Sequence, residues 1–380
     1  MSVSLWKNYD SKSAYDGYLT EENKIRKHAR IMTGILERHG TKKLQEIEKN
    51  CQSTISARGI NFRVYAANNR AEEKKWPLDI IPRIIPKSQW NKISRGLIQR
   101  VKALNLFIDD VYNQKKIFKD NVVPKEIIFK SPFYVKECDG FSPKHKAWSN
   151  ISGVDLIRNT NGDYLVLEDN LRVPSGVSYM LENRMVMRDV FPELFTRYKV
   201  ASIHQYTNKL FNCMVECIPK KTSNPHMVVL TPGIYNSAYF EHSFLAEQMG
   251  IALVEGKDLF VENDIVYMKT VKGPLKVDCI YRRLDDNFLD PKVFPQTIQS
   301  KGWSSIMTFA DIASSLKLNC DVRDIAFSGH VATHIPHCKQ ASSLNSNCGD
   351  SGLSCRAPAG HALTQDRQIV QLSVFTLTMP

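Results

Sequence analysis

The sequence lacks the features that mark secreted and membrane proteins. Its first residues contain no basic stretch followed by an apolar one, so no secretory leader is expected. No apolar run reaches the length of a membrane-spanning helix. The nine cysteines are an odd number and form no C-x-x-C pair in the first 295 residues, which favours reduced thiols over a disulfide framework. These absences predict a cytoplasmic protein without a membrane partner.

The charge distribution also lacks the pattern of a nucleic-acid-binding protein. The formal net charge of +12 at pH 7 invites that hypothesis. The lysines are nevertheless scattered among acidic residues, and no recognition motif or basic patch with interleaved aromatic residues is present. We therefore expect no nucleic-acid partner, and an anionic small ligand such as a nucleotide explains the charge with fewer assumptions.

What remains is the composition of an ordinary globular protein, with 43% hydrophobic and 24% charged residues. A chain of 380 residues is long enough for two or three domains. Apolar residues recur at helical spacing in residues 20–57 and 89–112, which predicts helices there. From Pro225 onward the order strand, helix, strand is typical of a βαβ unit with a parallel sheet. Ligands of such sheets bind beyond the carboxyl ends of the strands, here around Thr231–Asn236.

The stretch GVDLIRNTNGDYLVLEDNLRVPSG, residues 153–176, predicts a β-hairpin that carries acidic residues. Two runs of strand-forming residues flank Asn161-Gly162, which is the strongest short-range signal for a two-residue hairpin turn. A turn at this position places Asp155 directly opposite Glu168 on the neighbouring strand.

The two faces of this hairpin differ in character. Side chains alternate along a strand, so Asn170 shares the face of Glu168, whereas Asp169 points the other way. Leu156 and Leu167 are expected to pair on the opposite, apolar face. Two opposed carboxylates destabilise a hairpin by roughly 0.2–1 kcal/mol, so a cation is expected between them. Carboxylate and amide oxygens suit Mg²⁺ bound with nucleotide phosphates.

A simpler hypothesis is that water alone solvates these acidic residues, as on many surface hairpins. The residues that follow favour the metal–phosphate site instead. Arg172 supplies a guanidinium, and the small-residue loop with Ser175 and Gly176 is suited to phosphate contacts.

Four longer blocks carry a resemblance to a known family. The chain resembles the circularly permuted ATP-grasp proteins of type 2, whose bacterial members are often called glutathionylspermidine-synthase-like. The resemblance covers roughly residues 20–294. The order Asp155, Glu168, Asn170 looks like the magnesium triad of ATP-grasp ligases. The matching blocks are WPLDIIPRIIP, RGLIQRVKALNLFIDDVY, GVDLIRNTNGDYLVLEDNLRVPSGVSYMLENR, and LTPGIYNSAYFEHSFLAEQMGIALVEGKDLF with VDCIYRRLDDNFLDP.

The resemblance implies an α/β fold with a metal-ligand hairpin half and a βαβ, pre-ATP-grasp-like substrate half. It also implies an ATP-dependent carboxylate–amine, or carboxylate–thiol, ligase. In such enzymes ATP phosphorylates a carboxylate, and an amine attacks the acyl phosphate to give an amide. The expected cofactor is Mg²⁺, with ATP as a substrate. The expected partners are small-molecule or peptide carboxylates and amines.

Arginines complete the predicted site. Arg172 is expected to contact the acyl-phosphate oxygens, with Ser175 and Gly176 completing the nucleotide contacts. Arg282 or Arg283, adjacent at the end of a predicted strand, is expected to hold the acceptor carboxylate, because a guanidinium matches carboxylate geometry. Adjacent arginines at a strand end are also often simply solvated.

Four segments follow from these patterns. Residues 1–135 form a helix-rich α/β region, 136–205 the metal-ligand segment, 206–295 the βαβ region, and 296–380 a divergent tail. The tail contains no glutamate but twelve serines, four of the nine cysteines and four of the ten histidines. It does not resemble the glycine-rich, lysine-bearing nucleotide half of the family. We therefore expect that half to be missing and the tail to be poorly ordered, as for an extension read out of frame.

Without that half, the chain is expected to bind ATP weakly and to turn over no substrate. A non-catalytic or vestigial binding protein that keeps the ATP-grasp fold is therefore the second hypothesis. A zinc site in the tail is a further alternative, but no paired C-x-x-C accompanies the candidate ligands. Those candidates are His330, His334, His337, Cys338, Cys348 and Cys355.

Overall fold

The structure of the protein is a computed structural model. Besides Trp6 and Tyr9, it describes residues 15–65, 71–131, 133–219, 222–263, 265–284 and 372–377. Its helices are α1 Arg30–Ala57, α2 Lys87–Tyr112, α3 Lys116–Lys119, α4 Lys125–Phe129, α5 Val177–Val190, α6 Pro192–Arg197, α7 Tyr206–Cys217 and α8 Tyr239–Met249. Its strands are β1 Asn61–Tyr65, β2 Ala71–Lys75, β3 Ile151–Arg158, β4 Tyr164–Asn170, β5 Met227–Leu230, β6 Ala252–Val254, β7 Leu259–Glu262, β8 Ile265–Thr270, β9 Gly273–Lys276, β10 Cys279–Arg282 and β11 Leu372–Leu377.

The strands form four small sheets within the described residues. β10, β5 and β6 make a parallel sheet, and α8 connects β5 to β6. This arrangement confirms the predicted βαβ unit. The order β11-β3-β4 is antiparallel, as is the order β7-β8-β9, while β1 pairs with β2 alone. The fold is therefore mixed α/β, as expected.

The first long helix differs from its prediction. α1 begins at Arg30 rather than near residue 20. Gly40 lies within this helix with φ 65° and ψ 171°. These angles are not helical, so Gly40 separates two helical segments at a kink. Only glycine adopts such a positive φ at little cost.

One apolar core joins the start of the chain to the segment after the hairpin. Met32 and Leu36 of α1 share this core with Val186 of α5 and Phe191. It therefore spans the predicted boundary between residues 135 and 136. The four predicted segments remain a prediction.

Helix α2 packs on one face of the β3–β4 hairpin through every fourth residue. Ile93, Leu97 and Val101 form a buried cluster with Val154 and Leu156 of β3. A spacing of four residues places side chains on the same side of a helix. This contact fixes one face of the hairpin and leaves the acidic face on the other side.

The same stripe of α2 continues with two buried polar residues, Asn105 and Asp109. The amide of Asn105 donates to the Val101 carbonyl oxygen at 3.0 Å and accepts from the Ser149 N–H at 2.8 Å. α2 therefore contributes polar contacts as well as apolar packing. Its last turns anchor the segment that leads into β3.

Asp109 is the stronger of the two anchors. Its carboxylate accepts hydrogen bonds from Lys146 Nζ at 2.9 Å, Ser142 Oγ at 3.1 Å and Trp148 Nε1 at 3.3 Å. Burial alone would raise the pKa of Asp109, but these hydrogen bonds outweigh burial and hold the pKa below its ordinary value. The ionised form is thus the one that the fold stabilises.

The tail that was expected to be poorly ordered lies outside the described residues, except for β11. β11 pairs antiparallel with β3 and places Ser373 opposite Asp155. For these six residues the structure has a strand where the sequence predicted poor order. The histidines and cysteines weighed as zinc ligands lie outside the described residues. Of the helices in the described part of the chain, none is long and apolar enough to cross a membrane.

Replacing Asp109 with asparagine should lower the free energy of unfolding by about 1–3 kcal/mol at pH 7, because buried donors lose a charged acceptor. A carboxyl group with a depressed folded-state pKa stabilises the fold above its unfolded pKa, and this contribution is lost as the pH falls through the folded pKa. Urea denaturation should therefore show a difference between Asp109→Asn and parent at pH 7 that shrinks below about pH 4.

Lys146→Met is the matched control for this prediction. It removes a partly exposed cation but keeps the donors of Ser142 and Trp148, so it should cost no more than about 1 kcal/mol. A difference between Asp109→Asn and parent that is the same at pH 7 and at pH 3 would contradict the proposed anchor.

Candidate functional site

The β3–β4 hairpin turns through three residues rather than the two predicted. The Asn159 N–H donates to the Asp163 carbonyl oxygen at 3.0 Å, and the Gly162 N–H donates to the Asn159 carbonyl oxygen at 3.0 Å. The loop is therefore Thr160, Asn161 and Gly162. Gly162 has φ 87°, the left-handed conformation that a three-residue hairpin loop requires at this position.

A bulge further along the hairpin restores the predicted pairing. Asp155 lies opposite Glu168, as expected, but Leu156 lies opposite Val166 because the register shifts between Asp155 and Leu156. Leu167 is the extra residue on β4, and its side chain is 52% exposed. The predicted apolar pair of Leu156 and Leu167 is therefore wrong.

The two faces of β4 carry different chemistry. Asn170 Nδ2 donates to Glu168 Oε1 at 3.3 Å, so these two side chains share one face, and Asp155, opposite Glu168 on β3, is 6% exposed. Asp169 lies on the other face, where Arg100 of α2 donates from Nε to Oδ1 at 2.9 Å and from Nη2 to Oδ2 at 2.6 Å. The predicted alternation of the acidic residues is therefore confirmed.

The donor atoms on the Asp155 face suit a hard divalent cation. Asp155 and Glu168 supply carboxylate oxygens and Asn170 an amide oxygen, which are ligands that Mg²⁺ prefers. No cluster of three or more His, Cys, Asp or Glu side chains in the described chain is arranged to hold a metal ion. Two carboxylates and one amide fit Mg²⁺, because this ion usually keeps several waters or phosphate oxygens. Their role as ligands stays a prediction.

The loop after β4 leads into α5, whose first N–H groups are already bonded. Gly176 has φ 116°, and its N–H donates to Glu241 Oε2 at 2.7 Å. The same oxygen accepts from the N–H of Ser178 at 3.0 Å and from its hydroxyl at 2.9 Å. An internal carboxylate thus occupies the anion position at this helix start. This placement argues against the predicted contact of Gly176 with the nucleotide.

Arg283 occupies the interior rather than a substrate surface. Its Nη2 lies 3.0 Å from Glu241 Oε1, and the two side chains are 1% and 0% exposed. Arg283 Nη1 also donates to the Pro174 carbonyl oxygen at 2.8 Å, and Nη2 donates to Ser175 Oγ at 2.9 Å. These contacts correct the predicted role of Arg283, because a substrate carboxylate has no access to a guanidinium bound in this way.

The other predicted residues are not fully buried. Arg172 is half-buried just beyond Asn170, and Ser175 is exposed. Arg282 is half-buried and ends β10, opposite Leu230 of β5. The roles expected for Arg172, Ser175 and Arg282 stay predictions.

The loop after β5, predicted to receive a ligand, is fixed at its base. Thr231 Oγ1 lies 2.8 Å from His242 Nδ1 in a hydrogen bond, and it accepts from the Gly233 N–H at 3.2 Å. Burial, together with the positive charge of Arg283, lowers the pKa of His242 to about 2. The imidazole is therefore neutral, and it orients the loop as a hydrogen-bonding group rather than as a cation.

Sequence reasoning missed Glu241 and His242. Glu241 shares a helix face with Leu245 and Met249 at intervals of four residues, and all three side chains are buried. An acidic residue on the apolar face of a predicted helix is the signal that was available. Such a residue needs a cationic partner, because an unpaired buried carboxylate is very costly.

A polar cavity of about 660 Å³ lies at the carboxyl end of α2. None of the predicted site residues lines it. Its two lysines are already ion-paired, Lys146 with Asp109 at 2.9 Å and Lys115 with Asp139 at 3.1 Å. The cavity therefore gives no support to a ligand, and the hairpin remains the candidate site.

Comparisons with known proteins place this geometry in a family. An uncharacterized protein of Synechocystis sp. is 42% identical over 287 residues, which cover 76% of this chain and 60% of that protein. An uncharacterized protein of Mycobacterium tuberculosis is 46% identical over 236 residues, 62% of this chain and 42% of that protein. A protein of Frankia alni named "Putative glutamate--cysteine ligase 2-3" is 37% identical over 279 residues, 73% of this chain and 32% of that protein.

The chain thus spans less than two thirds of the length of each of these relatives. Among solved structures, a glutathione synthetase-like effector from Globodera pallida in its apo form is similar, with a TM-score of 0.44 and 13% identity. The match covers 78% of this chain and 73% of the effector.

A family model described as circularly permuted ATP-grasp type 2 matches residues 82–311. The matched range contains the hairpin with Asp155, Glu168 and Asn170. It also runs past residue 294, where the resemblance was expected to end. Since the match covers more than half of the 380 residues, the chain belongs to the circularly permuted ATP-grasp type 2 family.

Proposed function

We propose that this chain carries the magnesium- and phosphate-binding half of an ATP-dependent carboxylate–amine, or carboxylate–thiol, ligase. The observation that carries the proposal is the pairing of Asp155 with Glu168 across two strands, with Asn170 in contact with Glu168. ATP-grasp proteins generally use ATP and Mg²⁺, and the name of the Frankia relative supports a ligase that joins a carboxylate to an amine.

The proposed reaction has two steps. A carboxylate oxygen of the first substrate attacks the γ-phosphorus of ATP, and ADP leaves. The amine nitrogen or thiol sulfur of the second substrate then attacks the carbonyl carbon of the acyl phosphate, and inorganic phosphate leaves. Phosphoryl transfer depends on positioning and on neutralisation of charge rather than on covalent help from the protein. Bound Mg²⁺ would supply that neutralisation.

The described residues contribute in different ways. Asp155, Glu168 and Asn170 would hold the Mg²⁺ ion, and Arg172 would orient phosphate oxygens through its planar fork. Arg282 at the end of β10 binds the carboxylate of the acceptor. Arg283 acts as a positioning residue, because its contacts hold the loop that follows the metal ligands.

A second candidate is a non-catalytic binding protein that keeps the fold without turnover. It is favoured by the end of the family match at residue 311 and by the absence of glutamate from residues 296–380. ATP-dependent release of phosphate by the 380-residue chain, measured with and without candidate carboxylates and amines, separates the two functions.

Asp155→Asn should abolish the stabilisation of the protein by Mg²⁺ with ATP, because one of two carboxylate ligands is lost. In the parent, ligand at a hundred times its Kd should add about 2.7 kcal/mol to the free energy of unfolding. Thermal melts with and without Mg²⁺ measure this difference. Asp169→Asn, on the other face, is the control and should keep the response. An equal response to Mg²⁺ in Asp155→Asn and parent would rule the metal site out.

Arg172→Lys should weaken binding of an ATP analogue about tenfold, since an ammonium group cannot reproduce the bidentate fork of a guanidinium. Titration calorimetry in the presence of Mg²⁺ measures the loss. Arg282→Lys is the matched control. It should leave the affinity for the nucleotide unchanged and lower the affinity for the carboxylate of the acceptor. Equal losses of nucleotide affinity in both variants would refute this division of roles.

Glu241→Gln should lower the free energy of unfolding by about 3–5 kcal/mol, because it leaves the Arg283 guanidinium buried without its counter-ion. The double variant Glu241→Gln/Arg283→Met removes the stranded charge and should be less destabilised than the sum of its single variants. Urea denaturation of the four proteins measures the coupling. Strict additivity would show that the ion pair does not hold the loop.

A further inference from the structure

Helix α7 ends in a pair of thiols that the proposed ligase reaction does not use. Cys213 and Cys217 lie four residues apart on α7, which places their side chains one turn apart on the same face of the helix. Cys213 is buried, whereas Cys217, the last residue of the helix, is exposed. Cys279 of β10 is half-buried and lies close enough to influence both thiols electrostatically. The cluster thus combines one accessible thiol with a buried neighbour.

A lysine offsets the unfavourable end of the helix. Backbone carbonyls give the carboxyl end of a helix a partial negative charge, which disfavours a thiolate there. Lys144 Nζ donates to the Glu216 carbonyl oxygen at 2.8 Å and lies 3.4 Å from the Glu216 carboxylate. Its ammonium group therefore places positive charge beside the last turn of α7.

The three thiols differ in acidity for identifiable reasons. The interaction with Cys213 and the charge of Lys144 lower the pKa of Cys217 to about 7, although partial desolvation of the thiol and the charge of Glu216 act in the opposite direction. The interaction with Cys217 and burial raise the pKa of Cys213. Burial raises the pKa of Cys279 to about 12. At neutral pH, thiolate therefore forms first at Cys217, the exposed member of the cluster.

We propose that Cys217 and Cys213 form a peroxide-oxidisable dithiol, in which the exposed Cys217 reacts first and the buried Cys213 resolves it. In the first step the Cys217 thiolate attacks one oxygen of hydrogen peroxide, the O–O bond breaks, and after protonation water leaves and a sulfenic acid remains. In the second step the sulfur of Cys213 attacks the sulfur of this sulfenic acid. An S–S bond forms, the S–O bond breaks, and a second water leaves.

The helix geometry adds a structural consequence. Side chains four residues apart on a helix have Cβ atoms about 5–6 Å apart, whereas a disulfide needs about 3.5–4.5 Å. Disulfide formation therefore requires the last turn of α7 to rearrange. Cys217 is the last helical residue, so its backbone can move without breaking the helix interior. Oxidation should then also loosen the contact between Lys144 and Glu216.

A metal site is the alternative use of clustered cysteines. Within the described part of the chain, no group of three or more His, Cys, Asp or Glu side chains is arranged to hold a metal ion. Cys51 and Cys138, the other cysteines of that part, are buried and offer no accessible thiol. The paired thiols of α7 therefore fit reversible oxidation better than metal binding.

Peptide-level mass spectrometry of the full chain tests the proposal. Both thiols fall in one predicted tryptic peptide, LFNCMVECIPK, residues 210–220, so an internal disulfide lowers its mass by two hydrogens. After mild hydrogen peroxide this peptide should carry the disulfide, and reductant should remove it. In the reduced protein, iodoacetamide should label Cys217 first, with a rate that reaches half its maximum near pH 7.

Two variants separate the roles of the neighbours. Cys213→Ala should stop the reaction at the sulfenic acid, which dimedone traps on Cys217, and should shift the alkylation midpoint towards the free-thiol value of about 8.5. Lys144→Met should raise the alkylation midpoint of Cys217 by less than Cys213→Ala does, and it should still form the disulfide between Cys213 and Cys217 after peroxide treatment. In the parent, a midpoint at or above about 8.5 would overturn the proposal. The proposal would also be overturned if peptide 210–220 of the parent stayed reduced while other cysteines of the chain were oxidised. This measurement uses the parent protein alone and does not depend on the folding of a variant.

Discussion

The buried ion pair between Arg283 and Glu241 fixes the arrangement on which the candidate site depends. It joins the residue that follows β10 to α8, and the same carboxylate accepts a hydrogen bond from the N–H of Gly176 at the start of α5. Burying two charges costs several kcal/mol per ion unless their remaining hydrogen-bonding groups are satisfied. Here the Pro174 carbonyl and Ser175 hydroxyl oxygens accept from the two terminal nitrogens of Arg283, whereas its buried Nε has no hydrogen-bond partner among the described residues. The loop after the metal ligands is thus tied to the βαβ sheet and cannot shift independently.

The β3–β4 hairpin shows which features of a structure a sequence pattern can predict and which it cannot. The pairing of Asp155 with Glu168 was predicted from a two-residue turn, whereas the turn has three residues and the strand carries a bulge at Leu167. The longer turn and the bulge each shift the pairing of β3 with β4 by one residue. The two shifts have opposite directions, so Asp155 still lies opposite Glu168. The turn ending at Gly162 contains the expected glycine, but its length depends on the twist of both strands. Leu167 looks like a core residue in sequence, because the pattern does not reveal an extra residue in a strand.

The βαβ unit was predictable and the role of the arginines was not, for one physical reason. Strand and helix propensities act locally, and Gly250 ends α8 in the left-handed conformation as a glycine cap should, with φ 66°. The fate of a charged side chain depends on a partner far away in sequence. Arg282 and Arg283 are neighbours in the same strand end, yet Arg283 is buried because Glu241 lies opposite it, while Arg282 stays half-exposed.

Strand alternation lets β4 serve two purposes at once. On the side of α2, the carboxylate of Asp169 forms an ion pair with Arg100. This pair supports the packing of the helix on the hairpin. On the other side, Glu168 has no ion pair with any described residue, and its carboxylate accepts a hydrogen bond from the amide of Asn170. A fixed guanidinium at Glu168 would exclude a divalent cation by charge and by volume. The strand therefore separates structural neutralisation from the carboxylate face that an exchangeable cation can occupy.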